Sequence, residues 1–292
     1  MREVPSLSPP TAPSITLALP RSSALTDVLL EQAPAGPSAR EVEVLRADLV
    51  HQIANVVRSS RDETKLTLDS HHVLQAMTDP GACSPDPTFM PTPKKCRRAI
   101  GGAAVERCLR GRDRNPSDAV RSVVEQGLES SSSEPTDNAA VSPWWADWYR
   151  GLSSGAKAVV CAEAITWGTN LWTALDWDRF ERPPVVSGRA FKWECASVRR
   201  VTLRARADVR LQVGDRPAFL LVGNGVVPPQ WRTSLGFPAL VCALSYAERA
   251  VPGRVVGIWP AAGQVRTWTA STAALREVAD AAVSAVSTWA RV

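Results

Sequence analysis

Apolar positions recur at helical spacing in several stretches of the chain and alternate with polar ones in another. In EVEVLRADLVHQIANVVR (41–58), Val44, Leu45, Leu49, Ile53, Val56 and Val57 recur every three or four residues, which predicts a helix. TKLTLDSHHVLQAM begins as a short extended piece, and Asp69 or Ser70 stands ready to cap a helical turn after it. KKCRRAIGGAAVERCLR (94–110) predicts a helix apolar on more than one side, and Ser117, after Pro116, opens another over 117–128. Apolar positions 158, 162, 165, 172 and 175 predict a long amphipathic helix over 155–176.

After a candidate strand at 190–195, the pattern switches to period two. In VTLRARADVRL the residues Val201, Leu203, Ala205, Ala207, Val209 and Leu211 form one face of a strand. Thr202, Arg204, Arg206, Asp208 and Arg210 form the other, solvated face. Gly214-Asp215 supplies a tight turn, and Pro217 starts the return strand AFLLV. That strand is apolar on both faces, so it belongs in the middle of a covered sheet. An apolar helix over 234–247, with Pro238 in its first turn, leads to the strands RVVGIWP and VRTWTA, and a helix begun by Ser271 or Thr272 closes the chain over 271–291. This order predicts an α/β fold with a central mixed β-sheet flanked by helices on both faces.

Composition adds the boundaries. Residues 1–40, rich in Pro, Ser and Ala, are expected to form a flexible or loosely docked N-terminal arm, and 41–292 a single α/β domain. The prolines of DPGACSPDPTFMPTP forbid regular structure, and ESSSSEPTDNAA (129–140) is a surface loop. The 45% hydrophobic and 22% charged content is that of an ordinary globular protein, and no stretch approaches the ~18–20 uninterrupted apolar residues that a membrane helix needs. The proline-bearing N-terminus argues against a secretory signal, so the expected location is the cytoplasm. The six cysteines form no CxxC pair, which predicts reduced thiols, and the adjacent His71 and His72 would point to opposite sides of a strand rather than share a zinc ion.

The net charge of +5 is unevenly placed. Residues 94–121 hold nine Lys or Arg against three acidic residues, and 189–210 hold seven against two. Two basic patches on an otherwise acidic chain are what a phosphate-binding surface looks like, although 29 of the 34 basic residues are Arg and composition alone could produce them. Arg97, Arg98, Arg204, Arg206 and Arg210 are the candidate contacts. All eleven tryptophans lie between 144 and 289. Trp144, Trp145 and Trp148, after a polar loop, suit base stacking or a protein contact, whereas Trp167, Trp172 and Trp259 fit core patterns.

Two readings are open for Asp208: a cross-strand salt bridge on a solvated face, or a metal ligand at the rim of a basic cleft. Glu106 likewise reads either as a functional carboxylate or as one paired with Arg107 or Arg110. Gly101-Gly102 inside its helix suggests close packing against the sheet, with backbone approach to a phosphate as the rarer alternative.

CRRAIGGAAVERCLRG, KWECASVRRVTLRARADVRL and LGFPALVCALSYAERAVPGRVVGIWP, in that order, resemble the opening helix, first strands and later helix–strand unit of RecB-like nuclease domains of the PD-(D/E)XK superfamily. The resemblance covers roughly residues 90–290 and implies carboxylates holding Mg²⁺ with a lysine that positions the attacking water. On that basis Glu106 and Asp208 would be the metal carboxylates and Glu194 a supporting acid. Lys192 could supply the lysine from a neighbouring strand. The acidic-x-Lys pair itself is absent, because its register reads Leu221-Val222-Gly223. The resemblance therefore implies a degenerate nuclease fold kept for binding nucleic acid or for serving as a partner subunit. The alternatives are a Mg²⁺-dependent DNA nuclease with a rearranged site and a protein–protein adaptor using the Trp-rich segment.

Overall fold

A computed structural model describes residues 22–32, 35–58, 65–82, 92–130, 143–186, 190–195, 197–198, 201–223, 225–245 and 251–290. The chain is α/β, with helices flanking mixed sheets, but the strands divide into two sheets rather than one. In the first, β1 (Leu66–Leu68) lies parallel to β4 (Val201–Ala205), which pairs antiparallel with β3 (Phe191–Glu194). The second has the order β2 (Val185–Val186), β5 (Val209–Val213), β6 (Arg216–Val222), β7 (Arg254–Trp259), β8 (Gln264–Thr269). β6 and β7 are parallel and the other neighbours antiparallel. β6 is central, as its two apolar faces require, and every residue of β7 is buried.

The expected single strand over 201–211 is therefore two strands in different sheets. The main chain leaves the first sheet after Ala205 and enters the second at Val209. The bend at 206–208 breaks the two-residue alternation, so Asp208 is buried with its neighbours instead of lining up with the solvated arginines.

The helices are α1 (Ser22–Leu30), α2 (Ala39–Arg58), α3 (Ser70–Thr78), α4 (Pro93–Leu109), α5 (Pro116–Ser130), α6 (Ala146–Arg150), α7 (Ser154–Ala174), α8 (Trp231–Ser245) and α9 (Thr272–Trp289). One face of the larger sheet packs on α8, and behind it lie α9, α2 and α3; the other face packs on α7 and α1. A third cluster holds α4, α5, α6 and α7 together. Among the described residues no helix is long and apolar enough to cross a membrane. The five described cysteines are free thiols.

Several expectations change for identifiable reasons. The N-terminal arm is not wholly flexible: α1 buries Leu25 and Leu29, and its Val28 carbonyl accepts a hydrogen bond from buried Arg254. Residues 1–21 lie outside the described residues, as do 131–140 of the expected surface loop, whose first two residues end α5. The buried stripe of α7 runs through Val160, Ala164, Trp167 and Leu171, leaving Ala158 and Ala162 exposed, because the larger side chains rather than the alanines set the phase. Pro238 sits in the interior of α8, not its first turn, and withholds a helical N–H there. His71 and His72 lie on a helix. Asp69 caps α3, accepting from the N–H groups of His71 and His72, while the His72 ring accepts from the Asp69 N–H.

Gly101 packs against α7 rather than a sheet. A Cβ there would come within 2.8 Å of the Trp167 ring and 2.9 Å of the Ala164 carbonyl oxygen. Gly101→Ala should therefore wedge the two helices apart and lower stability by roughly 1–3 kcal/mol, despite alanine's better helix propensity, as read by urea denaturation. A stability gain would mean that the α4–α7 contact is looser than described.

Candidate functional site

The buried carboxylate of Asp208 is the one sequence-predicted site group whose surroundings form a built site. Its side chain is only 3% exposed. The paired register of β5 and β6 ends at Val209 opposite Leu220; the Asp208 N–H still donates to the Leu220 carbonyl at 3.0 Å, and the Asp208 carboxylate accepts from the next donor, the Val222 N–H, at 2.7 Å. From α4, Arg98 closes on the same carboxylate in a fork: Nε donates to Oδ1 at 2.8 Å and Nη2 donates to Oδ2. Burial alone would lower the Arg98 pKa, but the charge and hydrogen bonds of Asp208 outweigh it and hold the guanidinium above its usual value. Neither reading of Asp208 survives unchanged, since its carboxylate is buried rather than solvated and its partner is a partly exposed arginine from α4 rather than a metal ion or a cross-strand neighbour.

Around this pair other cations gather. Lys94, Arg97 and Arg98 are spaced three and four residues apart, so they share a face of α4. Arg204 and Arg206 reach solvent from the end of β4 and the bend that follows it. Arg206 lies within electrostatic reach of Arg204, Asp208 and Arg98, and Lys94 within reach of Arg98, Arg97 and Asp69. Partial desolvation first, and then their cationic neighbours, lower the pKa of both Lys94 and Arg206. Arg97 is bonded to Glu163 at 3.0 Å. Among the described residues, Lys94, Arg204 and Arg206 have no salt-bridge partner.

The other candidates fall elsewhere. Glu106 lies eight residues along α4 from Arg98, about 12 Å by helical rise, and its carboxylate accepts from Arg110 at 2.5 Å. Asp208 and Glu106 thus do not meet, and both Asp208 oxygens are already engaged. Among the described residues no three His, Cys, Asp or Glu side chains are grouped to hold a metal ion. The residues present do not fit the Mg²⁺ site that the resemblance implies. Lys192 and Glu194 project from the exposed face of β3 and pair with each other at 2.5 Å, with Lys192 opposite Arg204 in the register. Each is more than half exposed, so the pair adds little to stability. Arg210 lies over the Phe191 ring, 5.2 Å from its centroid, on the α8 side of the sheet. Trp145 is buried against Gly127 and Tyr149 and cannot stack on a base; Trp144 is 41% exposed.

At the end of β6, Gly223 donates its N–H to the Ile258 carbonyl at 2.7 Å. A Cβ at this position would come within 2.2 Å of the Trp259 indole nitrogen. Sequence reasoning missed both Arg98 as the partner of Asp208 and Trp259 as the residue covering Gly223. A glycine closing an otherwise bulky strand was the available signal for the second, because it marks a close approach. The pairing across 110 residues had no local signal.

The fold and the site together define an α/β protein that carries a cationic cluster around a buried, internally paired carboxylate. Compared with protein-family models, with curated proteins and with solved structures, the chain matches none.

Proposed function

We propose that the chain binds nucleic acid through the cluster formed by Lys94, Arg98, Arg204 and Arg206, and that it does not cleave what it binds. The observation that carries this reading is the Arg98–Asp208 fork: an organic cation occupies the carboxylate that a nuclease would offer to Mg²⁺. Two arrangements support the RecB-like resemblance behind it. The hairpin β5–β6 is followed by the crossover helix α8 and the parallel strand β7, which suits the implied element order. Asp208 also lies beside Leu221-Val222-Gly223, where the acidic-x-Lys pair would stand. Phosphates supply the complementary charge, and arginines that remain protonated at any working pH can bind them without acting as bases.

Fluorescence anisotropy with labelled single- and double-stranded DNA tests the reading. The logarithm of the affinity should fall linearly with the logarithm of salt concentration, by about 0.7 or 0.9 in slope per phosphate contacted on single or double strands. Replacing both Arg204 and Arg206 by alanine should weaken binding about tenfold or more and flatten that slope. The same DNA, incubated with Mg²⁺ or Mn²⁺, should stay intact. Metal-dependent cutting that disappears in Asp208→Ala would overturn the non-cleaving part, and salt-insensitive or absent binding would overturn the whole.

A further inference from the structure

We infer that the cluster around Asp208 recognises the terminal phosphomonoester of a nucleic-acid strand rather than its internal phosphodiesters. The inference rests on the nucleic-acid reading above and adds a ligand class to it.

The argument starts from charge arithmetic in one place. Lys94 lies within electrostatic reach of Arg97, Arg98 and Asp69, and Arg206 within reach of Arg204, Arg98 and Asp208; with Glu163, which pairs with Arg97, these linked groups are five cations and three carboxylates, leaving two positive charges in excess. The adjacent Lys192–Glu194 pair is neutral as a unit and does not alter the balance. Internal phosphodiesters carry one charge each and string them along the strand, so a surface built for them sets its cations in a row. A phosphomonoester concentrates about 1.5 to 2 negative charges and three acceptor oxygens at one point. Clustered cations with an excess of two match the second pattern.

The geometry supplies the donors. Asp208 engages Nε and Nη2 of Arg98, which fixes the plane of the guanidinium and leaves Nη1 among its donors, and the Arg98 side chain is 37% exposed. Asp208 is in this sense a positioning residue, because it holds an arginine rigid that would otherwise lose side-chain entropy on binding. Lys94 approaches from the same helical face, one turn earlier, and Arg206 from the bend two residues before Asp208. Each adds a flexible, solvent-reaching cation. These like charges lie within electrostatic reach of one another, and a bound dianion relieves the repulsion.

The test uses the full chain and one oligodeoxynucleotide sequence prepared with different ends: hydroxyl, 5′-phosphate, 3′-phosphate, and 5′-phosphate capped as a methyl ester. The cap keeps the phosphorus but leaves one charge. At constant pH and salt, a strand with a free monoester should bind about tenfold more tightly than the hydroxyl strand, since one hydrogen bond to a charged group suffices for that factor. The methyl-capped strand should behave like the hydroxyl strand. Arg206→Gln, whose side chain reaches solvent, should keep the circular-dichroism spectrum and thermal midpoint of the parent while losing the difference between ends. Thymidine 5′-monophosphate should displace the phosphorylated strand only at concentrations far above that strand's own Kd.

Equal binding of all four strands would overturn the inference while leaving nucleic-acid binding intact. Binding of none would overturn the underlying reading as well. Displacement by the mononucleotide at concentrations near the strand's Kd would overturn the strand end as the ligand and point to a free phosphomonoester.

Discussion

Arg98→Leu is expected to lower the unfolding free energy by roughly 3–5 kcal/mol, the usual loss when one partner of a buried ion pair is removed. The reciprocal change, Asp208→Leu, should cost less, about 1–3 kcal/mol, the penalty of leaving a polar group without its partner. The asymmetry follows from where the two charges sit. Asp208 is 3% exposed, so without Arg98 its carboxylate is left in the interior with the Val222 N–H as its remaining partner. Arg98 is 37% exposed, and without Asp208 its long side chain can turn its head group to water. The Val222 N–H then carries most of the loss. Replacing both residues by leucine should recover part of the Arg98→Leu loss, because exchanging a buried pair for apolar side chains is often neutral. Urea denaturation of the three variants at neutral pH reads the order directly. If Asp208→Leu proves the more damaging single change, the carboxylate depends on something other than Arg98.

The same two residues show what the sequence could and could not reveal. Local periodicity located α4 and placed Arg98 in a basic run, and the alternation of 201–211 located strand structure around Asp208. Neither pattern contains the bend at 206–208, where the chain passes from one sheet to the other. A strict two-residue reading carried Asp208 onto the solvated face with Arg204 and Arg206. The physical reason is that alternation reports which face a side chain takes only while the strand stays in one sheet. Aspartate among arginines looks the same on paper whether it is an exposed salt-bridge partner or the anchor of a buried fork.

Other elements were legible because burial itself wrote the pattern. The uncharged run AFLLV could only be a covered central strand, and the first six residues of RVVGIWP form a strand with every residue buried. Leu25, Val28 and Leu29, at helical spacing inside a proline-rich arm, were readable as a docking helix but were outweighed by composition. The phase of α7 was obscured by alanines, which fit either face. Trp144 and Trp145 were indistinguishable as neighbours in sequence. Gly127, seventeen residues before Trp144, makes room for Trp145 and leaves the other ring facing outward.

Gly223→Lys, the change that would place a lysine in the acidic-x-Lys register implied by the resemblance, is expected to damage the fold rather than give cleavage. The new Cβ would lie 2.2 Å from the Trp259 indole nitrogen and 2.4 Å from its Cδ1. Trp259 has little room to yield: it is 4% exposed, and a Cβ on neighbouring Gly257 would meet the far edge of its ring at 2.6 Å. The indole therefore lies against two glycines of adjacent strands, and each glycine is bare because the ring is there. Even Gly223→Ala should cost roughly 1–3 kcal/mol as overpacking. Trp259→Ala alone should cost about 3–5 kcal/mol by leaving a cavity. In the Trp259→Ala background the added methyl at 223 should cost much less, giving a favourable coupling of about 1 kcal/mol or more in a double-mutant cycle. Such coupling would mean that position 223 is bare because the Trp259 ring fills the space a side chain would need there, so that a lysine could enter only with the ring removed. Strict additivity would separate the two positions, and the bare glycine would then need an explanation outside the contact with this ring.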